Sequence, residues 1–348
     1  MNKKFLGIIV AALIFLLTSP SSVSAQTDQG LRLVTSPLPI NLVTEPGASV
    51  STELKVKNGG TAPERLQVSV MKFRAYEDSG KPALLEREPG DDFLDWVHFS
   101  EPTFTLDPNE WKTVTATFDV PTTASFGYYY AFVFSRAGEE TLPEEKETTL
   151  VGGTAVLVLL EAQVPNAVRQ VEVTEFSLDK TFYEFLPATF SVTLKNTGNV
   201  HIAPHGNIFI DQGDKHDVAL LEINHEKGNI LPQSSRVFET SWTDGFPVYT
   251  DKVVDGKTVL DENGKPEQEL LWNWNNASKL RFGKYTAKML LIYDDGQRDV
   301  PIEGIVSFWV IPWRMILATL VVALFVFLGV RSTIQGIWKK IAGKNSVS

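Results

Sequence analysis

Val50-Ser51-Thr52-Glu53-Leu54-Lys55-Val56-Lys57 runs straight into Asn58-Gly59-Gly60. Even positions are mostly apolar and odd ones polar, the two-residue period of a strand with one buried face. Further along, Phe190, Val192 and Leu194 alternate with Ser191, Thr193 and Lys195 and run into Asn196-Thr197-Gly198. The same strand-then-turn unit therefore occurs twice. Two more landmarks recur in the same order. Leu106-Asp107-Pro108 precedes the alternating Val114, Ala116, Phe118 and Val120, and Leu231-Pro232 precedes Phe238, Thr240 and Trp242. Phe126-Gly127-Tyr128-Tyr129 and Phe282-Gly283-Lys284-Tyr285 each open a long apolar strand. Many short strands punctuated by Gly, Pro and Asn turns are what an immunoglobulin-like sandwich requires. The expected fold is all-β: two tandem immunoglobulin-like β-sandwich domains, followed by a single transmembrane α-helix.

The domain limits follow from composition. Residues 1–25 read as a signal peptide, with Lys3 and Lys4, an apolar run from Phe5 to Leu17, and small residues before Gln26. The first sandwich is expected over 26–165 and the second over 166–311, joined near Val164-Pro165-Asn166. Insertions are expected at about 71–100 in the first and 243–280 in the second. Met315 to Val330 is apolar apart from Thr319 and Gly329, close to the roughly 20 residues a bilayer core requires. This gives a transmembrane helix over 312–331, with Trp309 and Trp313 as interfacial aromatics. The tail 332–348 carries Lys339, Lys340 and Lys344 and no acid, so the positive-inside rule makes it cytoplasmic and the large N-terminal region extracellular.

Net charge and residue types narrow the function. The chain has 348 residues and a net charge of −10. Its basic ends leave the body more acidic still, which argues against nucleic acid. There is no cysteine, hence no disulfide, thiolate metal site or cysteine nucleophile. Gly256-Lys257-Thr258 lacks the upstream glycine of a phosphate loop, since that place is Asp251. His201 and His205 flank a proline, which spoils the helical spacing of a metal pair. Asp211-Gln212-Gly213-Asp214 and Asp261-Glu262-Asn263-Gly264 depart from calcium-loop spacing and fit turns better. No catalytic residues, metal site or cofactor are assigned, and the chain reads as a non-enzyme. Trp272 and Trp274 share one face of an extended segment, and aromatic platforms can stack on sugar rings. Tyr128 to Phe134 is apolar on both faces, which fits either burial against the other domain or an exposed aromatic stripe. Tyr128, Tyr130, Trp272 and Trp274 are therefore the candidate ligand-binding residues.

Asp95-Trp96-Val97-His98-Phe99-Ser100, Phe104-Thr105-Leu106-Asp107-Pro108, Val114-Thr115, Val120-Pro121 and Phe126-Gly127-Tyr128 together resemble the bacterial WxL-interacting, peptidoglycan-binding surface protein family. That resemblance implies two sandwiches, a membrane helix and a basic tail across the whole chain. It also implies attachment to peptidoglycan and to a partner surface protein of the envelope. No Trp-x-Leu occurs in the chain, so it would be the anchor and not the WxL partner. The periplasmic pilus-chaperone sandwich shares the proline turn and aromatic strand, but a membrane anchor fits it less well. The alternative reading is a structural or adhesive stalk for a ligand on a host or neighbouring cell.

Overall fold

A computed structural model describes residues 30–138 and 153–344, with side chains as far as Gln335. The expected signal peptide, the Glu139 to Glu147 cluster and the tail lysines lie outside those described groups. Ten strands come first: β1 (Leu33–Ser36), β2 (Ile40–Thr44), β3 (Ser49–Asn58), β4 (Glu64–Tyr76), β5 (Lys81–Leu85), β6 (Val97–Phe99), β7 (Thr103–Leu106), β8 (Trp111–Asp119), β9 (Phe126–Arg136) and β10 (Gly153–Ala162). They form two facing sheets, β1-β3-β8-β6 and β2-β10-β9-β4-β5, with β7 beside β4. Leu54, Val56, Val114, Ala116 and Phe118 from one sheet meet Leu66, Phe132, Phe134, Val158 and Leu160 from the other in one buried cluster. These are the inward positions of the alternating runs, so burial of one apolar face selects the register.

The second sandwich repeats this plan with β11 (Val171–Leu178), β12 (Phe182–Tyr183), β13 (Ala188–Asn196), β14 (His205–Gln212), β15 (Lys215–Ile223), β16 (Ser235–Trp242), β21 (Gly283–Asp294) and β22 (Asp299–Val310). Its sheets are β11-β13-β16 and β12-β22-β21-β14-β15. In each copy the first strand splits: β1 and β11 pair antiparallel in one sheet, while β2 and β12 pair parallel with the last strand of the other. Between β16 and β21 lie four short strands, β17 (Val248–Asp251), β18 (Val253–Val254), β19 (Lys257–Thr258) and β20 (Gln268–Leu271), in two small two-stranded sheets.

One buried asparagine per copy shows how close the repetition is. Asn58 Nδ2 donates to the Ala62 and Leu106 carbonyls at 2.8 and 3.1 Å, and its Oδ1 accepts from Gly60 N at 2.8 Å. Asn196 Nδ2 donates to the Val200 and Ile230 carbonyls at 2.8 and 2.9 Å, and its Oδ1 accepts from Gly198 N at 2.9 Å. Only an amide side chain offers two donors and an acceptor in that compass. These clips also correct the sequence alignment. The equivalent of Leu106 is Ile230 and not Leu231, so Leu231 takes the outward place of Asp107. Phe126 and Gly283 both open their strand with positive φ, +67° and +117°, so Phe126 matches Gly283 and the two Phe-Gly pairs are offset by one.

The helix α1 (Trp313–Lys344) begins two residues after β22 ends. Its stretch Trp313–Gln335, 23 residues, is long and apolar enough to cross a membrane, and none of it is buried against the sandwiches.

Candidate functional site in the cleft between the sandwiches

The β9–β10 pair is apolar on both sides for two different reasons. Tyr130, Phe132 and Phe134 face the first core with Val156, Val158 and Leu160. Ala131, Val133 and Leu159 face the opposite way, in a second buried cluster with Phe73 that Leu84, Leu157 and Leu231 flank. Leu231 belongs to the second sandwich, so the outer face of β9–β10 is the floor of an inter-domain contact. Beside it opens a cleft of about 900 Å³ whose lining includes Phe73, Leu84, Ala155 and Leu157 from one side and Ile230, Leu231 and Arg236 from the other.

One edge of that floor has no partner strand among the described residues. β2 hydrogen-bonds β10 only from Val158 to Ala162. Gly153 to Leu157 pair with β9 on one side alone, and among the described residues no strand takes the other. An open strand edge can accept another extended chain. At the rim stands Arg236, paired in register with buried Leu194 and on the same side of β16 as Phe238 and Trp242. As β16 begins there, its side chain leaves the end of the core and enters the cleft. The guanidinium lies over the Phe238 ring at 5.0 Å and donates to the Asn229 carbonyl at 3.0 Å. A Cβ on Gly80 or Gly228 would collide with it, at 2.3 and 2.5 Å, so two glycines make its berth. Burial lowers its pKa, partly opposed by Glu226. Among the described residues no carboxylate forms an ion pair with it.

Polar contacts hold the two sandwiches beside the cleft. The β4–β5 hairpin reaches across, its Asp78 carbonyl accepting from Val237 N at 2.8 Å. Asn229 donates to Asn41 at 3.1 Å. Buried Glu161 pairs with Arg169 of the linker. Next to them the rings of Tyr129 and His201 meet edge-on at 5.9 Å. Burial, and after it Arg169, pushes the His201 pKa down to about 4. Burial raises that of Tyr129, with Glu161 adding to it.

The sequence-predicted residues scatter. Tyr130 is fully buried and its hydroxyl donates to the Phe93 carbonyl at 3.1 Å, so it is a core ring with no surface for a ligand. Tyr128 is half-buried, with its ring centre 4.6 Å from that of Trp96 and its hydroxyl accepting from Ser125 N. Trp272 and Trp274 do come together in the insertion, 5.8 Å apart and 28° from parallel, resting on buried Phe246. Trp274 is 69% exposed. His201 is partly buried at the domain contact, against the Tyr129 ring. Asp211 is engaged by Lys288 at 2.7 Å, by His216 at 3.2 Å and by Asp217 N at 2.9 Å. Among the described residues no cluster of three or more His, Asp or Glu could hold a metal. Arg236 was missed. The available signal was an arginine continuing the inward parity of Phe238, Thr240 and Trp242.

No family model matches the chain, and no curated protein matches it. Solved structures do. The class 5 fimbriae chaperone CfaA is 12% identical, covers 79% of this chain and 98% of its own, and has a TM-score of 0.35. The chaperone–tip adhesion subunit complex CsuC–CsuE of Csu pili from Acinetobacter baumannii is 13% identical, covers 78% and 97%, with a TM-score of 0.33. A family 123 glycoside hydrolase from Clostridium perfringens is 8% identical, covers 40% and 28%, with a TM-score of 0.27. All three likenesses are distant.

Proposed function

We propose that this is a non-enzymatic, membrane-anchored surface protein that binds an extended segment of a partner surface protein in the cleft between its sandwiches. Helix α1 is taken as the anchor, with sandwiches over 26–165 and 166–311 outside the cell. One observation carries the reading: the apolar floor of β9–β10, its edge from Gly153 to Leu157 that no described strand pairs, and the Arg236 cation that no described carboxylate pairs meet in a single cleft. Backbone pairing along such an edge supplies affinity, and alternate apolar side chains supply selectivity. A half-buried guanidinium that no described carboxylate pairs favours a segment that brings one.

The test is titration of the full chain in detergent with short apolar peptides that end in a free carboxylate or an amide. Binding of the carboxylate form, weakened at least tenfold in Arg236→Gln and abolished by Leu157→Asp, is the expected result. Equal binding by wild type and both variants would overturn the assignment.

A second reading, attachment to peptidoglycan as the family resemblance implies, is favoured by the exposed Trp272–Trp274 pair. Stacking would then dominate over charge, so retention on purified sacculi should persist at high salt, where repulsion between acidic surfaces is screened. Loss of retention in Trp272→Ala/Trp274→Ala supports it, and no retention at any salt removes it.

A further inference from the structure

Four large aromatic side chains lie exposed at the end of the second sandwich from which α1 departs: Phe182, Phe282, Trp309 and Trp313, at 64, 56, 40 and 52%. Their convergence follows from strand register. Phe182 pairs with Trp309 across the parallel β12–β22 ladder, and Lys284 pairs with Trp309 from the other side. Gly283 pairs with Val310, which puts Phe282 beside the last residue of β22. The strand ends of β12, β22 and β21 thus share one rim, and Trp313 opens the helix just past it.

The join between rim and helix is short and held in place. Only Ile311 and Pro312 separate β22 from α1, three Cα steps that reach at most about 11 Å when fully extended. Ile311 N donates to the Tyr183 carbonyl at 2.7 Å, and Trp313 N to the Ile311 carbonyl at 2.7 Å. Arg314 of the first helical turn lies 3.4 Å from the nearly buried Glu184 carboxylate. A stretch of 23 residues measures about 34 Å as a helix, against a hydrocarbon core of about 30 Å with a headgroup layer of roughly 5–8 Å on each side. With Trp313 at the hydrocarbon boundary, the rim falls within the headgroup layer. Aromatic rings prefer that layer, since their apolar bodies leave water there.

We infer that this rim is a membrane-interface seat: Phe182, Phe282 and Trp309 enter the lipid headgroup layer alongside Trp313 and hold the second sandwich directly on the bilayer. The seat rests on α1 spanning the membrane, as proposed above. The occupant is the lipid surface because the rim is continuous with the span and too close to it to stand clear. Glu184 is offset by Arg314, and Lys284 stands beside Trp309, so no uncompensated acid on these residues opposes contact.

The absence of cysteine lets single labels report depth. Full chains carrying Phe182→Cys, Phe282→Cys, Trp111→Cys or Leu324→Cys are spin-labelled in lipid nanodiscs. The relative access of lipid-soluble oxygen and a water-soluble nickel chelate is then measured. Labels at 182 and 282 should shift towards oxygen, between the mid-span 324 label and the exposed first-sandwich 111 label. If they match 111 while 324 reports lipid, the seat is wrong and the span stands. If 324 also reports water, the span itself fails and takes the seat with it. Circular dichroism matching the parent chain keeps misfolding from imitating either result.

Discussion

β9 in the first sandwich and β21 in the second are the same strand in two settings. Their inward faces do the same work: Tyr128, Tyr130, Phe132 and Phe134 in one, Tyr285, Ala287, Met289 and Leu291 in the other. With Phe126 matched to Gly283, the outward faces diverge. Tyr129, Ala131 and Val133 are covered at the domain contact, while Thr286, Lys288 and Leu290 face water to differing degrees. Ser307 and Ile305, on the neighbouring β22, continue that wetter face. The inward face is constrained by a core both copies must fill. The outward face was free to become a domain contact in one copy and a solvated surface in the other.

The sharpest way to break this comparison is one substitution at matched positions. Val133→Lys puts a charge where nothing pairs with it and should cost about 3 kcal/mol or more. Leu290→Lys, on the partly exposed counterpart, should stay within about 0.5 kcal/mol. Denaturant unfolding of the two variants measures both, and equal costs would mean the outward faces do not differ as described.

The asparagine clips test the part of the comparison where the copies agree. Asn58→Ala and Asn196→Ala each remove three hydrogen bonds, all buried around Asn196 and two of them part-buried around Asn58, and each should lose about 2–3 kcal/mol. A large loss in one and none in the other, read from melting curves, would show that the clips are not equivalent.

Stability should also fall with acid on the domain-contact side. His201 is held neutral in the fold and titrates near 4 there, against about 6.5 when unfolded. Between those values the unfolded chain binds the extra proton, so stability drops as pH falls from about 6.5 towards 4. The loss should reach up to about 3 kcal/mol. His201→Gln should flatten that part of the profile, leaving the acid groups to govern what remains below it.

The smallest effect is expected at the exposed insertion. Trp274→Ala should move the melting midpoint negligibly, within about 0.5 kcal/mol. A cost as large as that of the core variants would make the tryptophan pair a structural support of the insertion and remove it as a binding surface.

Much of this architecture was legible from residue order. Alternation in Val50 to Lys57 and Phe190 to Lys195 announced strands, the Asn-x-Gly turns announced repetition, and the run after Trp313 announced the helix. Register at single-residue precision was not legible. Leu231-Pro232 looks like the counterpart of Leu106-Asp107-Pro108, yet the Asn196 clip places Ile230 there. Tyr128 and Tyr130 look alike in sequence, but Tyr130 is buried among Phe93, Phe118 and Phe132. Of the candidate cleft, only the apolar character of β9–β10 was visible. Arg236, Gly80 and Gly228 are far apart in sequence, and their shared berth depends on long-range contacts.

The chain by itself determined which residues alternate, where turns interrupt them, that the plan occurs twice and that an apolar span follows. Those properties are local, because side-chain period, turn chemistry and apolar run length act between neighbours along the backbone. Only the tertiary structure decided what covers the second apolar face of β9–β10, where Arg236 emerges and which aromatics gather beside the helix. Each of these depends on two segments meeting across the fold, and burial is set by what arrives from elsewhere in the chain.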